Sequence, residues 1–229
     1  MVDPGKYNKD QKLFTKLVNN LYADYPDGVT LPPDYAYYIE HDMQTMLIRL
    51  SRYKFIAKML TKTDTLLDVG CGPGLGDIFL SQYCKHVTGI DVKSTEIDQA
   101  LKLNRRTNVE FIKQDLYKYR HQPFSVVTSF DVIEHLDAKN GEKMIAKMAK
   151  LTDKTGMISV GTPSIYSYPY QGKLSQASHV KCYDSEELKS LIGKYFQRVL
   201  CFSMNDEVVH TGNPKMAWYY FVLGFYPKR

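Results

Sequence analysis

Residues 65–76 read Thr65-Leu66-Leu67-Asp68-Val69-Gly70-Cys71-Gly72-Pro73-Gly74-Leu75-Gly76. The first five are a short β-rich run, and the glycines that follow let a backbone approach a ligand where a Cβ would clash. Outward from this loop, strand and helix patterns alternate. Strands are predicted at 65–70, 86–91, 109–115, 124–130, 156–162, 197–203 and 218–226, with helices over 76–84, 95–104 and 139–151. Asp184 and Glu187 form a D-x-x-E capping box that opens a further helix carrying Leu188, Leu191, Ile192 and Tyr195. Such alternation predicts an α/β fold with a doubly wound, mostly parallel, seven-stranded sheet. The last two strands have no helix between them, so one of them is expected to run antiparallel.

In such sheets ligands bind beyond the carboxyl ends of the strands, near the point where strand order reverses. The second predicted strand ends in Asp91, 21 residues after Gly70. A carboxylate at that place can accept from both hydroxyls of a ribose, so a nucleoside-containing cofactor is expected. A dinucleotide fingerprint needs a third glycine, and Leu75 stands at that position when the count starts at Gly70. Asp77, near a helix N-terminus, would repel a pyrophosphate. Both features disfavour a nicotinamide dinucleotide. Asp68, just before the first glycine, favours a cationic ligand portion. S-adenosylmethionine has that character: a nucleoside with a sulfonium, an ammonium and no phosphate.

These residues carry a family resemblance. LLDVGCGPG (66–74) resembles the glycine-rich motif of class I S-adenosylmethionine-dependent methyltransferases, and GIDV (89–92) their ribose loop. IKQDL (112–116) resembles their adenine loop, and SFDVIEHL (129–136) their fourth-strand motif. The resemblance covers about residues 64–162, with weaker similarity to about 203. It implies a Rossmann-like methyltransferase fold, with S-adenosyl-L-methionine as cofactor and S-adenosyl-L-homocysteine as product. It also implies roles. Asp68, Gly70, Cys71, Gly72 and Gly74 would line the methionine end. Asp91 would hold the ribose, with Val92 beside the adenine. Asp115 would accept from the adenine amino group next to Leu116, and Phe130 would lie near the sulfonium.

A narrower likeness is to the ubiquinone-biosynthesis O-methyltransferases, through Val132-Ile133-Glu134-His135 and Ser178-His179-Val180-Lys181-Cys182-Tyr183. Small-RNA 2′-O-methyltransferases resemble this region too, and both groups use a divalent metal held by an E-x-x-E-H motif. Here the first carboxylate is Asp131, one methylene shorter. A helical turn over 131–136 would put Asp131, Glu134 and His135 on one face. With His179 they make a nitrogen and oxygen set that suits Zn²⁺ better than Mg²⁺. Without a metal, the same residues would cap and brace the loop.

An aliphatic hydroxyl must lose its proton as a methyl bond forms, and a histidine near neutral pKa can take it. His135 and His179 are the candidates, because both fall in loops expected at the cofactor end. His41, His86, His121 and His210 read as surface or packing residues. The reading is an enzyme that O-methylates a small molecule such as a sugar, a glycan precursor or a phenolic metabolite. RNA 2′-O-methylation and a non-catalytic cofactor-binding subunit are the alternatives.

Residues 1–63 are expected to form an N-terminal helical lid over a core at 64–229. Leu13, Phe14, Leu17, Val18 and Leu21 repeat at helical spacing, a turn-rich loop spans 25–35, and one amphipathic helix is predicted over 41–60. Tyrosines cluster there and again at 166–170. The whole chain has 229 residues, 44% hydrophobic and 24% charged, which excludes a disordered or low-complexity protein. Net charge is +5, with the middle neutral and no dense Lys/Arg cluster, which argues against a nucleic-acid partner. No apolar run approaches the ~20 residues of a membrane helix. MVDPGKYNKDQK has no apolar core, so no secretory signal is expected. Four cysteines without a CxxC pair then predict reduced thiols and the cytoplasm.

Overall fold

The computed structural model describes residues 4–228. They fall into two compact units that break between Leu31 and Pro32. The first holds α1 (Pro4–Asp24), on which the apolar residues keep their helical spacing.

The second unit contains α2 (Pro33–His41), α3 (Met43–Ala57), β1 (Thr65–Val69), α4 (Leu75–Leu80), β2 (His86–Asp91), α5 (Ser94–Leu103) and β3 (Val109–Lys113). It continues with β4 (Phe124–Phe130), α6 (Ala138–Lys150), β5 (Thr152–Pro163), α7 (Lys173–Ser178), α8 (Ser185–Gly193), β6 (Phe196–Asn205), β7 (Val208–His210) and β8 (Tyr219–Pro227). One sheet runs β3-β2-β1-β4-β5-β8-β6-β7. The first five strands in that order pair in parallel, and β8 is antiparallel to both β5 and β6. The doubly wound, mostly parallel sheet is as expected. The connection from β6 to β8 carries no crossover helix, and β8 returns antiparallel against β6.

The period-2 alternation of strands explains the core. Leu66, Val87, Val126, Met157, Phe221 and Leu223 face one layer, against Ile56 of α3, Leu80 of α4 and Ile97 and Ala100 of α5. Leu67, Ile90, Val127, Ile158 and Val222 face the other, against Ile145 and Met148 of α6 and Leu188 and Ile192 of α8. β1 is buried on both faces, as a parallel central strand must be. Each fully buried Leu, Ile or Val contributes about 1.5–3 kcal/mol.

Several elements differ in detail from the sequence expectation. The helix predicted over 41–60 is α3, capped by Asp42, whose side chain accepts from the Thr45 amide at 3.2 Å, and α2 before it is a further helix that begins inside the loop expected over 25–35. These two helices belong to the second unit, so the compact core begins at Pro32. β7 is an eighth strand of three residues, paired only with β6. α7 forms inside the tyrosine-rich insert after β5. The capping residue of α8 behaves as read: the Asp184 carboxylate accepts from the Glu187 amide at 2.8 Å. All four cysteines are free thiols.

Candidate functional site

Strand order reverses between β1 and β4, and the loops after β1, β2, β3 and β4 open on the same end of the sheet. The loop after β1 turns on Gly70, Gly72 and Gly74, with φ of 77°, 54° and 80°. A Cβ at Gly74 would strike the Phe111 ring, so this position needs glycine for space as well as for its left-handed backbone. A Cβ at Gly72 would meet nothing within 4 Å, so the space beyond that residue is free for a ligand. The Gly70 and Cys71 amides donate to the Ile90 carbonyl, which ties the loop to the end of β2.

Asp91 ends β2 against this loop. Its carboxylate accepts from the Gly72 amide at 3.2 Å and from the Lys93 amide at 2.8 Å. Val92 beside it is exposed. Asp115, after β3, accepts from the Tyr117 amide at 2.8 Å, and Leu116 next to it is buried. Phe130 ends β4, its ring edge-on to Tyr53 of α3 at 5.2 Å.

Asp68 is buried at the end of β1 and accepts from the Thr128 hydroxyl at 2.6 Å. Asp77, expected to face a bound ligand, instead points inward and is fully buried beside Asp68. No other donor reaches its oxygens. Burial raises the Asp68 pKa to about 6 and pushes Asp77 well above the usual carboxylate range, with the neighbouring Asp68 charge adding to the effect. Two buried carboxyls in contact cannot both ionise, so the pair holds a proton.

Beyond β4 the chain does not form the helical turn expected over 131–136. Asp131 takes a left-handed backbone, φ 56°, and only Ile133–His135 make a tight turn. Asp131 therefore leaves the face it was expected to share with Glu134 and His135. Its carboxylate pairs with the buried Arg52 guanidinium from α3, which also stacks on the Tyr219 ring at 3.9 Å.

Glu134, His135 and His179 do converge, with one ligand atom from each within 4.8 Å of the others. The cause is backbone pairing: the Val180 and Lys181 amides donate to the Glu134 carbonyl at 2.7 and 3.0 Å, which lays His179 beside His135. The two imidazoles meet edge to face at 5.1 Å. The Ser178 carbonyl accepts from His135 Nδ1 at 2.9 Å, so Nδ1 carries the proton and Nε2 is left with a lone pair. The Thr162 hydroxyl holds Glu134 Oε2 at 2.9 Å. Glu134 Oε1 and His179 Nδ1 are buried without a partner. Burial, then the charge of Asp131, raises the Glu134 pKa to about 8. Burial and His135 lower that of His179, which keeps it neutral at neutral pH. The orphaned Glu134 Oε1 and His179 Nδ1, with His135 Nε2 beside them, fit a divalent cation, and Glu134 and His135 are braced from behind by Thr162 and Ser178.

Arg52, Tyr53, Thr162 and the partnership of Asp77 with Asp68 were not read from the sequence. Arg49 and Arg52 border the apolar stripe of α3, and that was the one available signal.

The sequence profile of a family described as a methyltransferase domain matches residues 66–156. The match begins in β1 and ends early in β5. A ubiquinone biosynthesis O-methyltransferase of Coxiella burnetii is 30% identical over 126 residues, 51% of this chain and 51% of that protein. The chain thus spans about half the length of the curated relatives it matches. Among solved structures, the N-methyltransferase NodS of Bradyrhizobium japonicum WM9, in complex with S-adenosyl-L-homocysteine, superposes with a TM-score of 0.56 at 17% identity, over 83% of this chain and 88% of that one. The methyltransferase domain of the bacterial protein CtHen1-C gives 0.63 at 18% identity, over 78% and 98%. The resemblance to class I S-adenosylmethionine-dependent methyltransferases is borne out in domain and fold. The matched region ends before the loop that carries His179 and before β8. No helix among the described residues is long and apolar enough to cross a membrane.

Proposed function

We propose that this protein transfers a methyl group from S-adenosyl-L-methionine to a hydroxyl of a small molecule, of which a sugar, a glycan precursor or a phenolic metabolite are the candidate kinds. One observation carries the reading. The open glycine loop with Asp91 and the Glu134, His135 and His179 group stand at the same end of the sheet, on either side of the strand reversal.

The cofactor reading assigns the methionine end to Asp68, Gly70, Cys71, Gly72 and Gly74. Asp91 has acceptor lone pairs left beyond its two backbone bonds, which suits a ribose diol. Val92 and Leu116 would flank the adenine, and Asp115 would accept from its amino group. Phe130 would lie near the sulfonium, where Tyr53 and Phe130 keep water out of the path. Methyl transfer from a sulfonium is an in-line displacement, and aligning the acceptor supplies much of the rate. His135, with Nδ1 committed to Ser178, has Nε2 free to take the acceptor proton; His179, neutral beside it, is the other candidate base. When a divalent cation is bound, Glu134, His135 and His179 would hold it, and it would lower the pKa of the acceptor hydroxyl.

The test is turnover with methyl-labelled cofactor, compared with cofactor affinity, in His179→Ala. A loss of about 10²–10⁴-fold in turnover with affinity unchanged within threefold is the expected result. Equal losses in both would make His179 a structural residue and remove it from the chemistry.

A further inference from the structure

A cavity of about 380 Å³ lies between α3 and the ends of β6 and β8. That volume is within the range of roughly 300–1,000 Å³ usual for small-molecule sites. We propose that it is the acceptor subsite and that it takes a neutral, hydroxyl-rich ring, a saccharide, with Trp218 as the stacking surface. The inference rests on the methyltransferase reading and narrows its acceptor class.

Placement is the first argument. Tyr219 pairs with Pro163 at the carboxyl end of β5, and Asn205 closes β6, so the cavity opens at the same end of the sheet as the glycine loop. Tyr219 forms one of its walls, and the ring of Tyr219 carries the Arg52 guanidinium that pairs with Asp131 after β4. Tyr219 and Arg52 thus lie between the cavity and Asp131, which follows Phe130 at the end of β4.

Charge is the second. Among the described residues no Lys or Arg lines the cavity, and Asp206 is its only charged one. A phosphate, a carboxylate or a nucleic-acid backbone would meet a carboxylate with no cation to offset it.

The third is the match between polar and apolar surface. Trp218 is 45% exposed, with Ile48 and Met204 lining the same cavity. Its backbone is fixed, because the Trp218 amide donates to the Asn205 Oδ1 at 2.8 Å and to the Met204 carbonyl at 3.2 Å. The Asn205 amide nitrogen then remains as a donor. Asp206 sits at φ 48° in the turn after β6, and Oδ1 has only a long contact of 3.5 Å to Gln44, which leaves Oδ2 as an acceptor. A donor and an acceptor beside a fixed indole match a pyranose. Adjacent hydroxyls would take the polar pair, and the C–H face of the ring would lie on the π-surface. A quaternary ammonium would also suit an indole and a carboxylate. It would leave the Asn205 donor without a role.

Trp218 is the sole tryptophan of the chain, so intrinsic tryptophan fluorescence reads this cavity alone. The experiment titrates the full chain with the methyl glycosides of glucose, mannose and rhamnose. Glucose 6-phosphate, catechol and choline serve as the anionic, phenolic and cationic probes. Affinity for S-adenosylhomocysteine is measured in parallel by calorimetry. The expected result is a saturable change with at least one neutral glycoside and binding at least tenfold weaker for the sugar phosphate. Asp206→Asn, which tolerates the left-handed backbone, is expected to weaken glycoside binding about tenfold. Trp218→Ala, followed by calorimetry, is expected to do the same. Neither variant should change S-adenosylhomocysteine affinity by more than threefold. A saturable response to catechol or choline with none to any glycoside would overturn the proposal. So would no response to any probe in protein that still binds S-adenosylhomocysteine. Glycoside binding in protein that does not bind S-adenosylhomocysteine would instead sink the methyltransferase reading, and with it the assignment of the cavity as an acceptor subsite.

Discussion

Asp91 shows how one side chain serves fold and proposed function together. It fastens the end of β2 to the glycine loop through the Gly72 amide and keeps lone pairs toward the open space beyond. Asp91→Ala is expected to weaken S-adenosylhomocysteine binding at least tenfold, read by calorimetry, with circular dichroism unchanged; unchanged affinity would remove the ribose assignment. The Asp68 and Asp77 pair has a different signature. Both carboxyls have pKa values raised by burial, Asp68 to about 6 from 3.8. Between those two values the folded state binds more protons than the unfolded state, so the pair's contribution to stability falls as pH rises from about 4 through about 6. Asp77→Asn removes one ionisable partner. Urea midpoints measured from pH 4 to 8 should fall less steeply in the variant, and identical slopes would contradict the shared proton. For the cation group, Mn²⁺ titration should show at least a tenfold loss of affinity in Glu134→Gln. Asp131→Asn should stay within threefold, because Asp131 is committed to Arg52. At this scale the sequence names Glu134 and His135 by spacing and His179 through the family resemblance, and the structure brings the three together. The Arg52 partnership was invisible, since it joins residues 79 apart through a left-handed turn that no local pattern announces.

Elements were legible where local chemistry dictates them. Asp184 was readable as a cap because a carboxylate before a helix has an unpaired amide to take, and the structure has it accepting from Glu187. Asp184→Ala should lower stability by about 1 kcal/mol in urea denaturation and leave cofactor affinity unchanged. The same chemistry went unread at Asp42, where the predicted helix was started one residue early, and the tyrosine-rich α2 before it carries no apolar stripe to announce it. β7 has three residues, too few for any periodicity to register, and is held only by its pairing with β6. α7 is six residues long within a tyrosine-rich insert, and it owes its position to the backbone bonds that bind residues 180 and 181 to Glu134.

Over the whole molecule, the two faces of β1 set the architecture. Leu66 and Leu67 are both fully buried and belong to opposite layers, so the sheet must be covered on both sides. Leu67→Ala should cost about 2–5 kcal/mol, checked by chemical denaturation. Covering both faces leaves only the strand ends open, and the glycine loop, Asp91, Asp131 and the Glu134 group collect there. The fold was legible as a whole because alternation along the chain is a global signal. The cavity beside Trp218 was not, because α3, β6 and β8 reach it from three distant stretches of sequence. The central claim is that the glycine loop receives S-adenosylmethionine. Calorimetric titration of the purified chain with S-adenosylhomocysteine, with NAD in parallel, tests it most directly. Micromolar binding of the first and none of the second is the expected result. No binding of S-adenosylhomocysteine, or a preference for NAD, would contradict the account.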